Sequence, residues 1–91
     1  MSASWDEPKR LSNIQDHGID FAGCEVIFDG PVVTRDDDRL YYGEQRINLL
    51  GWLAGQVVFM TYTERGDDIH VISLRKATKH ETREFFTQVH R

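Results

Sequence analysis

Two apolar runs in the C-terminal half carry the pattern of a β-hairpin. Val57 to Thr63 and Ile69 to Leu74 are rich in β-branched and aromatic residues, which favour strands. Between them lies Arg65-Gly66-Asp67-Asp68, where glycine supplies the positive φ of a tight turn and aspartate tolerates it. The pattern therefore predicts two adjacent antiparallel strands.

A capped helix is predicted directly after this hairpin. Thr78 and Glu81 form a Thr-x-x-Glu capping box, in which each side chain satisfies a backbone N–H at the start of a helix. We expect the helix to run from Lys79 to about His90. Its expected buried residues are Phe85, Phe86 and Val89.

The N-terminal part has the signals of a first helix. Asp6 is a suitable N-cap and Pro8 fits a first helical turn, so we expect a helix from about Glu7 to His17, ended by Gly18. Its apolar side is thin and consists of Leu11 and Ile14.

A second short helix is predicted after Asp20, and Asp29-Gly30-Pro31 ends it. One face of this segment is apolar, which places Cys24 in the core. The residues of that face are Phe21, Cys24, Ile27 and Phe28.

The middle of the chain alternates between strand-like and charged segments. Pro31 to Thr34 is predicted to be an edge strand, because proline cannot donate to a strand ladder. Arg35 to Arg39 is predicted to be a charged loop, and its aspartates lack the later glycine and glutamate of an EF-hand calcium loop. Arg46 to Leu53 is predicted to be a strand that Ala54-Gly55 turns into the hairpin.

These elements predict an α+β fold in a single domain over residues 1–91. Two N-terminal helices precede a four-stranded antiparallel sheet and a C-terminal helix, with the helices on one face of the sheet. Ser4-Trp5 is either a short strand or an anchor, with Trp5 packed on the core.

Charge is divided unevenly along the chain. Residues 1–64 contain 5 Lys or Arg and 11 Asp or Glu, whereas residues 65–91 contain 6 and 4. The net charge of −4 argues against a general nucleic-acid binder, although the basic C-terminal part is suited to an anion.

The composition favours a cytoplasmic setting. No apolar run approaches the roughly 20 residues that span a bilayer, and no basic region followed by an apolar stretch marks a secretory signal. The single cysteine cannot form an internal disulfide. No His/Cys set has metal-ligand spacing, so we expect no metal. We also expect no cofactor and no membrane partner.

An ordered set of short motifs resembles the BrnT-type toxins of bacterial type II toxin–antitoxin systems. The resemblance covers nearly the whole chain. The motifs are Trp5-Asp6-x-x-Lys9, His17-Gly18-x-x-Phe21, Phe28-Asp29, Tyr42-Gly43-Glu44-x-Arg46, Tyr62-Thr63-Glu64-Arg65-Gly66 and Ile72-Ser73-x-Arg75-Lys76-Ala77-x-x-x-Glu81.

This resemblance implies a RelE-like ribonuclease fold and a metal-independent endoribonuclease that arrests growth. It also implies neutralisation by a BrnA-type antitoxin, a dimeric DNA-binding protein, so no direct DNA binding is expected of the toxin alone. One departure matters, because the family often has tyrosine where this chain has Phe85. Phenylalanine has no proton to give, which excludes a tyrosine acid at that position.

Metal-free RNA cleavage needs a base for the 2′-OH, cations for the phosphate and an acid for the 5′ oxygen. The hypothesis places Arg65 and Arg75 on phosphate and makes Glu64 or His70 the base or acid. The expected catalytic residues are Glu64, Arg65 and Arg75, and the expected RNA-binding residues are Arg46, His70, Lys76 and Lys79.

Strand register divides these residues into two clusters. If Gly66-Asp67 is a two-residue turn, Arg65 pairs with Asp68, Thr63 pairs with His70, and Arg75 lies opposite Val58, roughly 23 Å from Arg65. The two arginines are then too far apart to bind the same phosphate. A tight turn at Ala54-Gly55 places Arg46 near Thr63. One cluster contains Arg46, Glu64, Arg65 and His70, and the other contains Arg75, Lys76 and Lys79; the sequence does not choose between them.

The alternative is a non-catalytic module that binds a protein or RNA through the same fold. Arg65 beside Asp67 and Asp68 also has a plain explanation as a hairpin ion pair. The acidic total and Phe85 favour this alternative, whereas the ordered motifs favour the ribonuclease.

Overall fold

A computed structural model describes residues 1–41 and 43–90, so Tyr42 of the quoted motif lies outside the described residues. The described part forms a five-stranded sheet in the order β1-β5-β4-β3-β2, in which β1 is parallel to β5 and all other neighbours are antiparallel. The α+β class is confirmed. The elements are β1 (Ala3–Ser4), α1 (Glu7–His17), a 3-10 helix (Cys24–Asp29), β2 (Val32–Tyr41), β3 (Glu44–Leu53), β4 (Gln56–Arg65), β5 (Asp68–Lys76) and α2 (Lys79–Val89).

Both predicted two-residue turns are confirmed. Leu53 pairs with Gln56 across Ala54-Gly55, whose φ values of 51° and 82° are typical of a type I′ turn. Arg65 pairs with Asp68 in the second hairpin. These turns set the register of three consecutive strands, and the predicted capping box at the start of α2 is also present.

The prediction of four antiparallel strands is wrong, because β1 adds a parallel edge strand beside β5. Ile69 N–H donates to the Ser2 carbonyl at 3.0 Å, and Ser2 N–H donates to Asp68 Oδ1 at 2.8 Å. A strand of two residues is too short for a period of alternating residues to reveal it.

The prediction of a charged loop over Arg35 to Arg39 is also wrong, because β2 continues through it to Tyr41. The ladder with β3 continues through Arg35 and Asp36 to Asp37, which pairs with Arg46. Since β2 is an edge strand, its exposed charges discourage pairing with a further chain.

Helices cover both faces of the sheet, which corrects the prediction that they share one face. Successive side chains of a strand point to opposite faces, so Leu49 packs in the core with Ile27 of the 3-10 helix, whereas Leu50 packs with Phe85 of α2. Phe85 is 2% exposed, but Phe86 is 40% exposed, so its predicted burial is wrong. Neither described α-helix has the length and apolar character of a membrane span.

The apolar side predicted for α1 is wrong as well. Leu11 is 55% exposed, whereas Asn13 is 6% exposed and faces β5. Its Nδ2 donates to the Leu74 carbonyl at 2.7 Å, and Leu74 N–H donates to Asn13 Oδ1 at 3.2 Å. The amide thus takes the place of a neighbouring strand at an edge that β1 leaves open, and α1 is held there by hydrogen bonds.

The second predicted helix is a 3-10 helix that begins only after Gly23. The φ of 87° at Gly23 is incompatible with an α-helix through that position. Phe21, Cys24 and Ile27 are nevertheless buried as predicted, and desolvation of the Cys24 thiol raises its pKa to about 12. Trp5 packs edge-on against Phe21, which confirms its role as a core anchor.

Candidate active site

The sheet face beneath α2 has two ends, and the helix covers only one of them. At one end, Leu50, Val57, Ala77 and Phe85 form a small apolar core under the helix. We call this the covered end. The same face continues beyond α2 as two rows of mostly polar side chains, since paired positions of neighbouring strands lie side by side. We call this part of the face, which consists of a near row and a far row, the open end.

The near row crosses the sheet next to the covered end. Arg35 pairs with Asn48, Asn48 with Thr61, and Thr61 with Ser73. Thr61 Oγ1 donates to Asn48 Oδ1 at 2.8 Å. Arg35 forms an ion pair with Glu84 of α2, which marks the point where the helix stops covering the face.

The far row lies one step further from α2. Asp37 pairs with Arg46, Thr63 with His70, and His70 with Ser4 of β1. The β3–β4 ladder, continued by one position, places Arg46 beside Thr63. All five strands therefore contribute one polar side chain each to a single line across the sheet.

His70 and Thr63 occupy the middle of the far row. Ser4 Oγ lies 2.9 Å from His70 Nδ1, which holds the imidazole at that nitrogen. Thr63 is 2% exposed, and its Oγ1 has no hydrogen-bond partner among the described residues. A buried hydroxyl without a partner costs about 1–3 kcal/mol, so this position is not optimised for stability.

Asp37 at the edge of the far row is held ionised. A hydrogen bond from the Arg39 side chain is the main cause, followed by one from the Arg39 backbone, and together they lower the pKa of Asp37 to about 2. The Arg39 guanidinium lies 2.8 Å from the carboxylate. Asp37 therefore has no proton to give near neutral pH and acts only as a hydrogen-bond acceptor.

Arg65 and Glu64 are neighbours in sequence but lie on opposite faces of the sheet. Arg65 lies two residues beyond Thr63 on the same face, and its guanidinium is 3.4 Å from Glu44 in an exposed ion pair. Glu64 shares the other face with Tyr62, whose pKa is raised by burial first and by the Glu64 charge second. Of these two, only Arg65 extends the open end.

Arg75 lies at the covered end, where its guanidinium contacts a carboxylate and an aromatic ring. Its two terminal nitrogens donate to Glu81 at 2.9 and 3.1 Å, and its guanidinium lies 4.2 Å from the centre of the Phe59 ring. The same Glu81 accepts from Thr78 N–H at 2.8 Å in the capping box. The Arg75 hydrogen bond is the main cause of the lowered pKa of Glu81.

The structure therefore brings some predicted residues together and separates others. Arg46, Arg65 and His70 share the open end, whereas Arg75, Lys76 and Lys79 lie at the other end of β5 and the start of α2. Arg75 pairs with Phe59 rather than Val58, because a bulge shifts the β4–β5 register beyond Thr61. Phe59 is six residues from Arg65 along β4, or about 20 Å.

A cleft of about 520 Å³ lies between β2 and α2 and joins the two ends. Phe59 and Leu50 form its apolar floor, and Asn48 of the near row and Asp37 of the far row line its rim. A volume of this size fits a small molecule or one unit of a polymer.

Comparison with protein families identifies the chain. Residues 5–81 match the family described as "Ribonuclease toxin, BrnT, of type II toxin-antitoxin system". The chain belongs to this family. The recognition made from the motifs is confirmed, and membership brings a ribonuclease activity, an RNA target and an antitoxin partner at the level of the family. A search of curated proteins finds no match.

Within this BrnT family domain, the sequence did not reveal Asp37 or Ser4 as members of the row that contains Thr63 and His70. The pairing of Thr63 with His70 was available from the hairpin register. Asp37 required recognition of β2 as a full strand, and Ser4 required the parallel strand β1. Ser4 also lies just outside the residues that match the family.

Proposed function

We propose that the chain is an endoribonuclease toxin that cleaves RNA without a metal ion and thereby inhibits translation and growth in the cytoplasm. The observation that carries the proposal is the far row, where His70 and Arg46 lie on the part of the sheet face beyond the core under α2. A base and a phosphate-binding cation on one rigid sheet meet the two first needs of 2′-OH attack.

In this mechanism, His70 Nε2 takes the proton of the 2′-OH. The 2′ oxygen then bonds to the adjacent phosphorus and the bond from phosphorus to the 5′ oxygen breaks, which leaves a 2′,3′-cyclic phosphate. The leaving 5′ oxygen takes a proton from solvent. Arg46 and Arg65 bind the phosphate oxygens as charge develops on them.

The other predicted residues serve this reaction in different ways. Arg75 holds the start of α2 through Glu81, and Lys76 and Lys79, both exposed, bind RNA phosphates further along the strand. Glu64 is the second candidate for the base, with its carboxylate on the opposite face. A BrnA-type antitoxin neutralises the toxin, and DNA binding belongs to that partner.

An RNA-cleavage assay in EDTA tests the proposal. His70→Gln is expected to lower cleavage by roughly 10²–10⁴-fold, the usual contribution of general acid–base catalysis. Arg46→Gln is expected to lower it by roughly 10²–10³-fold, as for loss of one charge-stabilising donor. The matched controls His17→Gln on α1 and Arg83→Gln on α2 are expected to cleave as the wild type does.

Two results would contradict this assignment. If Glu64→Gln abolishes cleavage and His70→Gln does not, the base is Glu64. If cleavage requires added Mg²⁺, the metal-free mechanism fails.

A non-catalytic interaction module is the second candidate. Carboxylates of the same chain already engage Arg65 and Arg75, through Glu44 and Glu81, which favours a structural role for both arginines. A well-folded wild type that neither cleaves RNA nor arrests growth on expression would support this candidate and overturn the first.

A further inference from the structure

We propose that Ser4 of β1 is a positioning residue that keeps the proton of neutral His70 on Nδ1, so that Nε2 is the nitrogen free to act as base. The inference rests on the proposed function only in assigning His70 a role in catalysis. Its structural part concerns one side-chain contact, which can be measured without RNA.

Two contacts of the Ser4 hydroxyl determine the proton arrangement. Ser4 Oγ lies 2.9 Å from His70 Nδ1, and it donates to the Ile69 carbonyl at 3.4 Å. A hydroxyl has a single proton to donate and two lone pairs. When that proton is directed to Ile69, the oxygen can only accept from His70, which requires a proton on Nδ1.

The opposite tautomer satisfies fewer groups. With its proton on Nε2, His70 would have to accept the Ser4 proton at Nδ1, and the contact from Ser4 to the Ile69 carbonyl would be lost. Among the described residues, no group hydrogen-bonds to His70 Nε2, so nothing there offsets the loss. The hydrogen bond at one ring nitrogen thus sets the protonation of the other.

Ser4 is itself fixed on both sides. β1 is in parallel register with β5, with Ala3 opposite Ile69 and Ser4 opposite His70. Ser2 anchors the strand before Ser4, because its carbonyl accepts from Ile69 N–H at 3.0 Å. Trp5 anchors the strand after Ser4 through its contact with Phe21. The hydroxyl is therefore presented to the imidazole by ordered backbone rather than by a loop.

This arrangement gives the two ring nitrogens separate tasks. Nδ1 carries its hydrogen bond to Ser4 in both the neutral and the protonated ring. Nε2 alone gains the proton from the 2′-OH, and it returns that proton to solvent after the cyclic phosphate forms. The imidazole therefore does not need to rotate or change tautomer between cycles.

Nitrogen-15 NMR of the full chain, with His70 in its neutral form, tests the contact directly. We expect wild-type His70 to be protonated at Nδ1. Ser4→Ala should shift the population toward the Nε2 tautomer, and Ser4→Thr should preserve the wild-type state because it retains the hydroxyl. A wild type protonated at Nε2, or a population unchanged in Ser4→Ala, would overturn the proposal.

Steady-state cleavage tests the consequence for catalysis. Ser4→Ala is expected to lower kcat by about tenfold with little change in KM, a smaller loss than the roughly 10²–10⁴-fold of removing the base. Ser4→Thr should restore kcat, and Ser12→Ala on α1 is the matched control. A loss of kcat that Ser4→Thr does not restore would contradict a positioning role.

The two measurements separate the two proposals. An RNA assay in which the wild type is inactive would overturn the proposed function. The NMR result would still decide whether Ser4 sets the tautomer of His70, because that experiment contains no substrate.

Discussion

The covered end and the open end of one sheet face use similar residues in opposite ways. At the covered end, Arg75 donates twice to Glu81, lies over Phe59 and stands beside a completed capping box. At the open end, Thr63 has an unpartnered hydroxyl among the described residues, and His70 is hydrogen-bonded at Nδ1. The covered end is therefore held together by side-chain contacts that the middle of the far row lacks.

Cover by α2 explains why the two ends differ. The helix excludes water from the apolar core around Phe85, and ion pairs from Arg35 and Arg75 to Glu84 and Glu81 hold the helix to β2 and β5. Beyond the helix, the same face carries polar side chains instead of an apolar core, and one of them, Thr63, is buried. The covered end therefore stabilises the sheet that presents the open end.

The largest expected effect on stability is at the covered end. Phe85→Ala should lower the free energy of unfolding by about 3–5 kcal/mol, because it removes a buried aromatic ring from a small core. Phe86→Ala, at the exposed neighbour, should cost far less. Chemical denaturation measures both, and equal losses would show that the two rings are not divided between core and surface as described.

Arg75→Gln is expected to have an intermediate effect, about 1–3 kcal/mol of stability, from the lost charged hydrogen bonds and the contact with Phe59. Because the folded-state pKa of Glu81 is lowered, its contribution is present above the unfolded-state pKa and is lost as the pH falls through the lowered value. The variant should therefore lose less stability than the wild type on acidification. Denaturation at several pH values below neutral checks this, and parallel pH profiles would contradict it.

The smallest expected effect is also the one most specific to the open end. Thr63→Val should raise stability by about 1 kcal/mol, because it removes a buried hydroxyl that has no partner among the described residues. Thr61→Val, two residues away on the same face, should lower stability instead, since that hydroxyl donates to Asn48. The same measurement on both variants would show opposite signs, and a matching sign would remove the distinction between the two positions.

Local signals in the sequence predicted much of the fold. The tight turns at Ala54-Gly55 and around Gly66 fixed strand register, so the position of Arg46 near Thr63 and of His70 opposite Thr63 followed by counting residues. The bulge beyond Thr61 places Arg75 opposite Phe59 instead of Val58. It was not predicted, because an extra residue in one strand does not change the apolar pattern of the sequence.

Features that depend on distant partners were missed. The burial of Asn13 on α1 was not predicted. A buried polar side chain needs hydrogen-bond partners, and those of Asn13 lie on β5, far away in sequence. The predicted β2 ended too early, at Thr34, because the charged residues that follow are typical of a loop. An edge strand tolerates such charges. Ser4 on β1 and Asp37 on β2 were missed with their strands, whereas the positions of Arg46, Thr63 and His70 in the far row were predicted.

The pairing of β1 with β5 has a consequence for how the molecule is made. Translation delivers β1 first and β5 last of all the strands, and the contact between Ser4 and His70 spans 66 positions in sequence. A nascent chain on the ribosome therefore holds its histidine in place only when most of the polypeptide has emerged. The line of polar side chains across the sheet is therefore completed late in the synthesis of the domain.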